Sequence, residues 1–481
     1  MYRAPSKRKQ MFARIAVYSA MTTGVIVFVT FLVFIMLGYR FNRDTSTIQQ
    51  GGLVQFASRP GDVSVKIGNA NLTDLTPSKI TVNPGSYTVT MNRKDYRSWS
   101  KSVDVRAGEV LWLNYAQMTP NTIKTDTVSS YESLSQAKSS PNGDRMALIT
   151  DPSKPVITFV DVTGDKPKST TITIPAELLR ADIAPTFTLS EWANDSDRIL
   201  VDANYGDSIE RIVMDRREVK RTVNVSKAYE SDVSESIFDP RNSERLIIRT
   251  SKGDIRTIDT ASNSLSTVLA SSVTEMSLYG SDALLLVQSV AEGGQSVGYI
   301  SLGSDDVRIL RTIQSSDVVH FSIGKYFSEP YVAVSTGNKL EVLKVKSLPS
   351  SNSDESISMT SVYTATLPAA VEYLSIRSGG RFVVAQYAGG VQTYDIELSK
   401  QTLTSFKSPV TSELRWLDKY HFYITNGVNL EVMEFDGANA QVIAPLTTDF
   451  DSVQSSDGKF IYSITKNDDG YHLQRSRMIL E

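Results

Sequence analysis

Residues 139–150 read Ser139-Ser140-Pro141-Asn142-Gly143-Asp144-Arg145-Met146-Ala147-Leu148-Ile149-Thr150. A polar turn made of Ser, Pro, Asn and Gly runs straight into four apolar residues. The turn residues each favour turn dihedrals, and the apolar run has the length of a short buried strand. The same pattern recurs along the chain. Trp192-Ala193-Asn194-Asp195-Ser196-Asp197-Arg198 leads into Ile199-Leu200-Val201, and 238–245 leads into Leu246-Ile247-Ile248. Further starts lie at 278–282, 323–327, 376–381, 414–418 and 453–459, each ahead of an apolar run. The starts fall roughly 40–54 residues apart, and there are eight of them. A fixed period of that length, with three or four short strands per unit, predicts an all-β fold whose main body is a β-propeller of eight blades, with seven as the alternative.

Second strands follow within several units. Lys252-Gly253, Gly389-Gly390 and Asn426-Gly427 each open an alternating segment, as hairpin turns with positive φ do. The Ser140-Pro141-Asn142-Gly143 and Ser455-Ser456-Asp457-Gly458 starts resemble the WD40-like repeats of the TolB and peptidase-propeller type, which begin Ser-Pro-Asp-Gly. The intermediate units have diverged from that pattern. A propeller is stable when its ring closes, and the last unit has little sequence left for an outer strand after 471–478. Residues 121–131 are therefore expected to supply the outer strand of the last blade.

Upstream, the period is again two. Residues 53–57, 63–67, 87–91, 102–105 and 110–113 alternate, with Thr76-Pro77 and Pro84-Gly85 between them as turns. About seven short strands predict a small antiparallel sandwich. Arg59-Pro60-Gly61-Asp62, Val65-Lys66-Ile67-Gly68, Thr76-Pro77 and Pro84-Gly85-Ser86-Tyr87-Thr88-Val89 occur in the order seen in the PEGA domain, and residues 52–118 resemble that family. The name-giving tetrapeptide is altered, and Asp95-Tyr96 stands where the family carries Gly-Tyr. The resemblance implies a surface-exposed, membrane-tethered bacterial protein and brings no catalytic residues. Trp99 and Trp112 read as packing residues of the sandwich.

Residues 15–38, IAVYSAMTTGVIVFVTFLVFIMLG, carry no charge. As a helix this run spans about 36 Å, enough to cross a hydrocarbon core of about 30 Å. Five cations precede it (Arg3, Lys7, Arg8, Lys9 and Arg14) and two, Arg40 and Arg43, follow before the first acid. That bias predicts a cytoplasmic N-terminus and extracytoplasmic domains. The bulky end of the run favours a retained signal-anchor over a cleaved signal peptide. The expected organisation is a basic stub at 1–14, a membrane helix at 15–38, a tether at 39–51, the sandwich at 52–118 and the propeller at 119–481.

Residues 44–481 hold 43 cations and 53 acids, a net charge of −10. Such a surface does not attract nucleic acid or anionic lipid. With no cysteine there is no disulfide framework and no thiolate metal site. The three histidines, His320, His421 and His472, show no metal-ligand spacing and read as packing or surface groups. Gly294-Gln295-Ser296-Val297-Gly298 matches a nucleophile elbow on paper, but it falls within a hairpin of a blade, whereas that chemistry needs a strand-to-helix turn. Asn467-Asp468-Asp469-Gly470 reads as a tight turn because it lacks the spacing of a calcium loop. No catalytic, cofactor-binding or metal residue is assigned, no cofactor is implied, and a non-enzymatic role is expected. The leading expectation is an anchored envelope protein that binds a protein or polysaccharide through the propeller. The alternative is a glycan-active enzyme with paired carboxylates in the propeller channel.

Overall fold

A computed structural model describes residues 7–42, 47–164, 166–229, 232–348, 357–376, 379–406, 414–425, 428–447 and 450–480. The chain divides into two compact units, Met1–Thr122 and Ile123–Glu481.

The first unit opens with a helix, Lys7–Met36. It starts before the uncharged run because Lys, Arg and Gln are good helix formers. It stops at Gly38, whose φ of +78° is the left-handed geometry of a C-terminal glycine, with the Gly38 N–H on Ile35 O at 3.0 Å. The span from Gln10 to Met36 has a mean hydropathy of 2.2 in its best window, none of which is buried. The expected tether is instead a short hairpin, Tyr39–Asn42 paired with Thr47–Gln50. It is fastened to the helix end: Gly51 N–H donates to Gly38 O at 2.9 Å and Gln50 Nε2 donates to Leu37 O at 2.9 Å. These bonds satisfy carbonyls that a helix terminus leaves open.

The sandwich has seven strands in two sheets. Ser78–Val82, Gly52–Arg59 and Val110–Gln117 form one; Ala70–Asn71, Ser64–Ile67, Gly85–Asn92 and Trp99–Val105 form the other. It is not wholly antiparallel, because Gly52–Arg59 and Val110–Gln117 run parallel, with Leu53 opposite Val110. The intervening chain crosses to the other sheet before it returns, which permits that direction. The motif residues form a clasp. Asp62 takes φ +58°, Val63 N–H donates to Thr76 Oγ1 at 3.0 Å, and Thr76 N–H donates to Val63 O at 2.9 Å. Trp99 is buried at 2% exposure. Trp112, expected in the packing, is 42% exposed. The two-residue alternation turns Leu113 and Tyr115 inward and leaves Trp112 on the outer face.

The second unit contains eight four-stranded sheets. In chain order the first strands of blades 1 to 8 are Gln136–Ser139, Thr186–Trp192, Val233–Asp239, Val273–Tyr279, Val319–Tyr326, Val371–Ile376, Arg415–Trp416 and Val453–Gln454. Each recurrent start seen in the sequence is the turn from the first strand to the second. Arg377, Ser378, Asn426 and Gly427 lie outside the described residues. In blade 1 the Ser140 hydroxyl accepts from Arg145 N–H at 3.0 Å, Asn142 Oδ1 accepts from Asp144 N–H at 3.1 Å, and Gly143 takes φ +71°. Blade 8 repeats this with Ser455, Asp457 and Gly458. In blade 2 Ser196 occupies the left-handed position at φ +56°.

A second device holds register at the same end of the sheets. Arg198 faces Asp215 at 3.3 Å in blade 2, Arg245 faces Asp259 at 3.1 Å in blade 3, and Arg381 faces Asp395 at 2.7 Å in blade 6. The same aspartates accept N–H bonds from the turn that follows, as Asp215 does from Arg217 and Glu218, both at 2.9 Å. One carboxylate thus fixes both strand pairing and turn.

The ring closes as expected. Thr125–Tyr131 pairs with Gly470–Arg477 as the outer strand of blade 8. Buried clusters join consecutive blades: Phe159 and Trp192 sit between blades 1 and 2, Leu430 and Ile461 between blades 7 and 8, and Leu148 and Tyr462 between blades 8 and 1. Phe382 of blade 6 stacks on Phe435, just after the third strand of blade 7, with centroids 4.1 Å apart. Burial of these faces against both neighbours is the main stabilising term.

Candidate functional site

Polar side chains on first, second and third strands reach from one blade to the next. Gln136 Oε1 accepts from Leu189 N–H at 2.5 Å, which links blades 1 and 2. Arg211 of blade 2 is held by Asp202 at 2.8 Å and donates to Val233 O and Ser234 O at the edge of blade 3. Gln386 Oε1 accepts from Leu414 N–H at 2.7 Å, between blades 6 and 7. Arg415 pairs with Asp451, and Asp451 Oδ2 accepts from Ser139 N–H at 3.2 Å, which ties blades 7, 8 and 1. A belt of polar bonds therefore accompanies the apolar contacts between blades.

His320 is the most connected member of the belt. Its Nδ1 lies 3.0 Å from Glu275 Oε2 of blade 4 and its Nε2 lies 3.1 Å from Val371 O of blade 6. The two ring nitrogens thus face acceptor oxygens of the two neighbouring blades. Three consecutive blades meet on this ring. The carboxylates at these junctions include Glu191, Glu235, Glu275 and Asp451. Glu235 is bonded to Arg249 at 2.9 Å, Glu275 to His320, and Asp451 to Arg415. Glu191 differs. Burial pushes its carboxyl up to about 7; Lys138 opposes the shift and Glu235 adds to it. At neutral pH it exchanges a proton readily, which is the one property in the belt that acid–base chemistry would use.

Two recesses open at the junction of blades 4 and 5. One, of about 650 Å³, is lined by Arg311, Ile313, Lys339, Glu341 and Thr366 among others. The other, of about 410 Å³, is lined by Glu275, Gly294, Gln295 and Val319 among others. Both are bordered by Ser315 and Asp317 of the connection between the two blades. Arg311 pairs with Glu341 in the wall of the larger one. The linings mix charges, hydroxyls and a few aliphatic groups, which suits a polar, hydrogen-bonding ligand.

The residues weighed from sequence fall as follows. His421 is buried at the start of a second strand with Nδ1 2.9 Å from the Asp418 carboxylate. That bond, with two backbone N–H bonds, holds Asp418 below the usual carboxylate range although burial raises it. His472 bonds Ser130 at 2.9 Å and so helps close the ring. The three histidines are not brought together, and no group of His, Asp or Glu among the described residues is arranged to hold a metal ion. Ser296 is 2% exposed in the middle of a strand, Gln295–Ser301, paired on both sides, so it is no elbow. Asn467 and Gly470 are the paired ends of a tight turn. Sequence reasoning did not single out Glu191, His320 or Lys138 as members of one belt. No local pattern marks Lys138 or Glu191, whose strands mix polar and apolar residues.

Residues 52–119 match the family model described as the PEGA domain. No curated protein matches the chain. Among solved structures, the C-terminal WD40 domain of Sif2 is similar at 9% identity and a TM-score of 0.47, over 74% of this chain and 99% of that one. A prolyl endopeptidase structure is similar at 12% identity and 0.46, over 73% and 55%. An oligogalacturonate lyase in complex with manganese is similar at 10% identity and 0.41, over 73% and 98%. With eight closed four-stranded sheets on the page, the chain carries a PEGA domain at residues 52–119 and, after it, a β-propeller of eight blades.

Proposed function

We propose that this is a membrane-anchored binding or scaffolding protein of a bacterial cell envelope. Its N-terminus lies in the cytoplasm, its helix is retained as a signal-anchor, and its propeller recognises a protein or polysaccharide outside. The observation that carries the reading is the pair of recesses sharing Ser315 and Asp317 on a ring whose inner polar groups are largely spent on one another. A belt so engaged supports rigid presentation of a surface. The charge asymmetry about the helix supports the orientation, and the bonds from Gly51 and Gln50 to the helix end support its retention.

The test is in-cell photo-crosslinking from a side chain introduced at Thr336, in the wall of the larger recess, compared with one at Thr163 in the third-to-fourth-strand turn of blade 1. An adduct specific to position 336, lost on Asp317→Lys, is expected. Equal adducts at both positions, or none, would remove the recesses as the recognition site. A second reading is favoured by Glu191 alone: a glycan-active enzyme that uses this carboxyl as its acid. Glycan cleavage by the purified protein that disappears in Glu191→Gln would support it, and cleavage undiminished in that variant would not.

A further inference from the structure

We propose that the outer face of the three-stranded sheet in the PEGA domain docks on the lipid headgroup layer of the membrane that the helix crosses. This rests on the membrane-anchor reading above. The parallel register sets Leu53 beside Val110 and Gln55 beside Trp112, and the antiparallel register adds Thr81 to the first row and Lys79 to the second. Val110 and Trp112 are each 42% exposed, and Lys79 is exposed too. The face therefore presents an aliphatic row and, beyond it, a row with an indole and an ammonium. Tryptophan and lysine side by side are the residue types that settle where hydrocarbon gives way to headgroups.

The rows lie close to the point where the chain leaves the helix. Gly51, hydrogen-bonded to Gly38 O, directly precedes the strand that carries Leu53 and Gln55. The turn before the partner strand is held at the same place by the Gly108 N–H on Gly51 O at 3.0 Å. At about 3.3 Å per residue, the first row stands about 7 Å from Gly51 and the second about 13 Å. The headgroup region adds about 5–8 Å to each side of the hydrocarbon core. The first row thus falls within it, and any lean of the strand brings Trp112 down to it. Ile48, 68% exposed on the hairpin beside the helix end, extends the apolar surface. Exposed aliphatic residues elsewhere on this unit do not share this nearness to the helix.

The experiment uses the full chain reconstituted in phosphatidylcholine vesicles, with or without lipid brominated near the headgroup end of its tails. Flotation reports whether the helix is inserted, and tryptophan quenching reports docking. Trp112 is one of four tryptophans, of which Trp99 and Trp192 are buried. The expected result is a loss of up to roughly a quarter of the emission in the floated wild type and a clearly smaller loss in Trp112→Phe. Protein that floats but shows the same quenching in wild type and variant would overturn the docking and leave the anchor intact. Protein that does not float would overturn both.

Discussion

Closure of the ring by Thr125–Tyr131 is open to a direct covalent test. Thr125 and Ser476 are register partners on the two closing strands, and their hydroxyl oxygens lie 3.0 Å apart across 351 residues of sequence. The chain has no cysteine, so the double variant Thr125→Cys/Ser476→Cys offers a single disulfide. Closing so long a loop removes about 6 kcal/mol of denatured-state entropy in the chain-entropy relation, and engineered bridges commonly deliver about half of that. Unfolding entropy near 2.1 cal/mol/K per residue amounts to about 0.75 kcal/mol/K for a unit of this size, so about 3 kcal/mol raises the Tm by about 4 °C. The assay is a melting curve of the purified protein with and without dithiothreitol, beside gel mobility without reductant. The rise should vanish on reduction, and removal of residues 125–131 should lower the Tm by more than the bridge raises it. A double variant that forms no intramolecular bridge under oxidation, or a deletion that melts like wild type, would refute closure by these strands.

Other outcomes follow from single groups. Ser196 sits at a left-handed φ, and its buried hydroxyl finds no partner; Ser196→Gly should stabilise by about 1 kcal/mol, read as a higher midpoint in urea with unchanged slope. Arg198 meets Asp215, Asp195 and Glu244 with only 12% of its side chain exposed. Arg198→Ala strands a buried aspartate and should cost about 3–5 kcal/mol, whereas a loss under 1 kcal/mol would remove its role in register. Glu191 keeps its proton in the fold up to about pH 7 but loses it near the ordinary value of 4.5 when unfolded. The folded state then holds more protons between those values, so this group's contribution falls as pH rises from about 4.5 to about 7 and is level above. Glu191→Gln should therefore gain Tm relative to wild type from pH 5 to about pH 7 and hold that gain at pH 8; a difference that does not change with pH would contradict the assignment.

The repeat was legible because each blade needs the same local solution, a turn with one left-handed residue ahead of a buried strand, and Ser140-Pro141-Asn142-Gly143 writes it plainly. The closing strand was legible from the shortage of chain after residue 478. The helix was legible because its 24 uncharged residues need no partner to be recognised. Less could be read where two distant strands meet. Periodicity placed residues 110–113 in a strand but did not show which face was inward, so Trp112 was taken for packing. Nor could it show that this strand runs parallel to Gly52–Arg59, or that the tether pairs with itself.

The sequence alone determined the class of fold, a repeat of eight units with seven as the alternative, and the presence of an apolar helix, since these depend on local pattern and count. The tertiary structure decided the belt around the axis. Glu275, His320 and Val371 are 45 and 51 residues apart along the chain and become neighbours only when three sheets meet at the centre. Their chemistry is set by that meeting: a carboxylate and a carbonyl from different blades face the two nitrogens of one imidazole, and burial raises the Glu191 carboxyl to about 7.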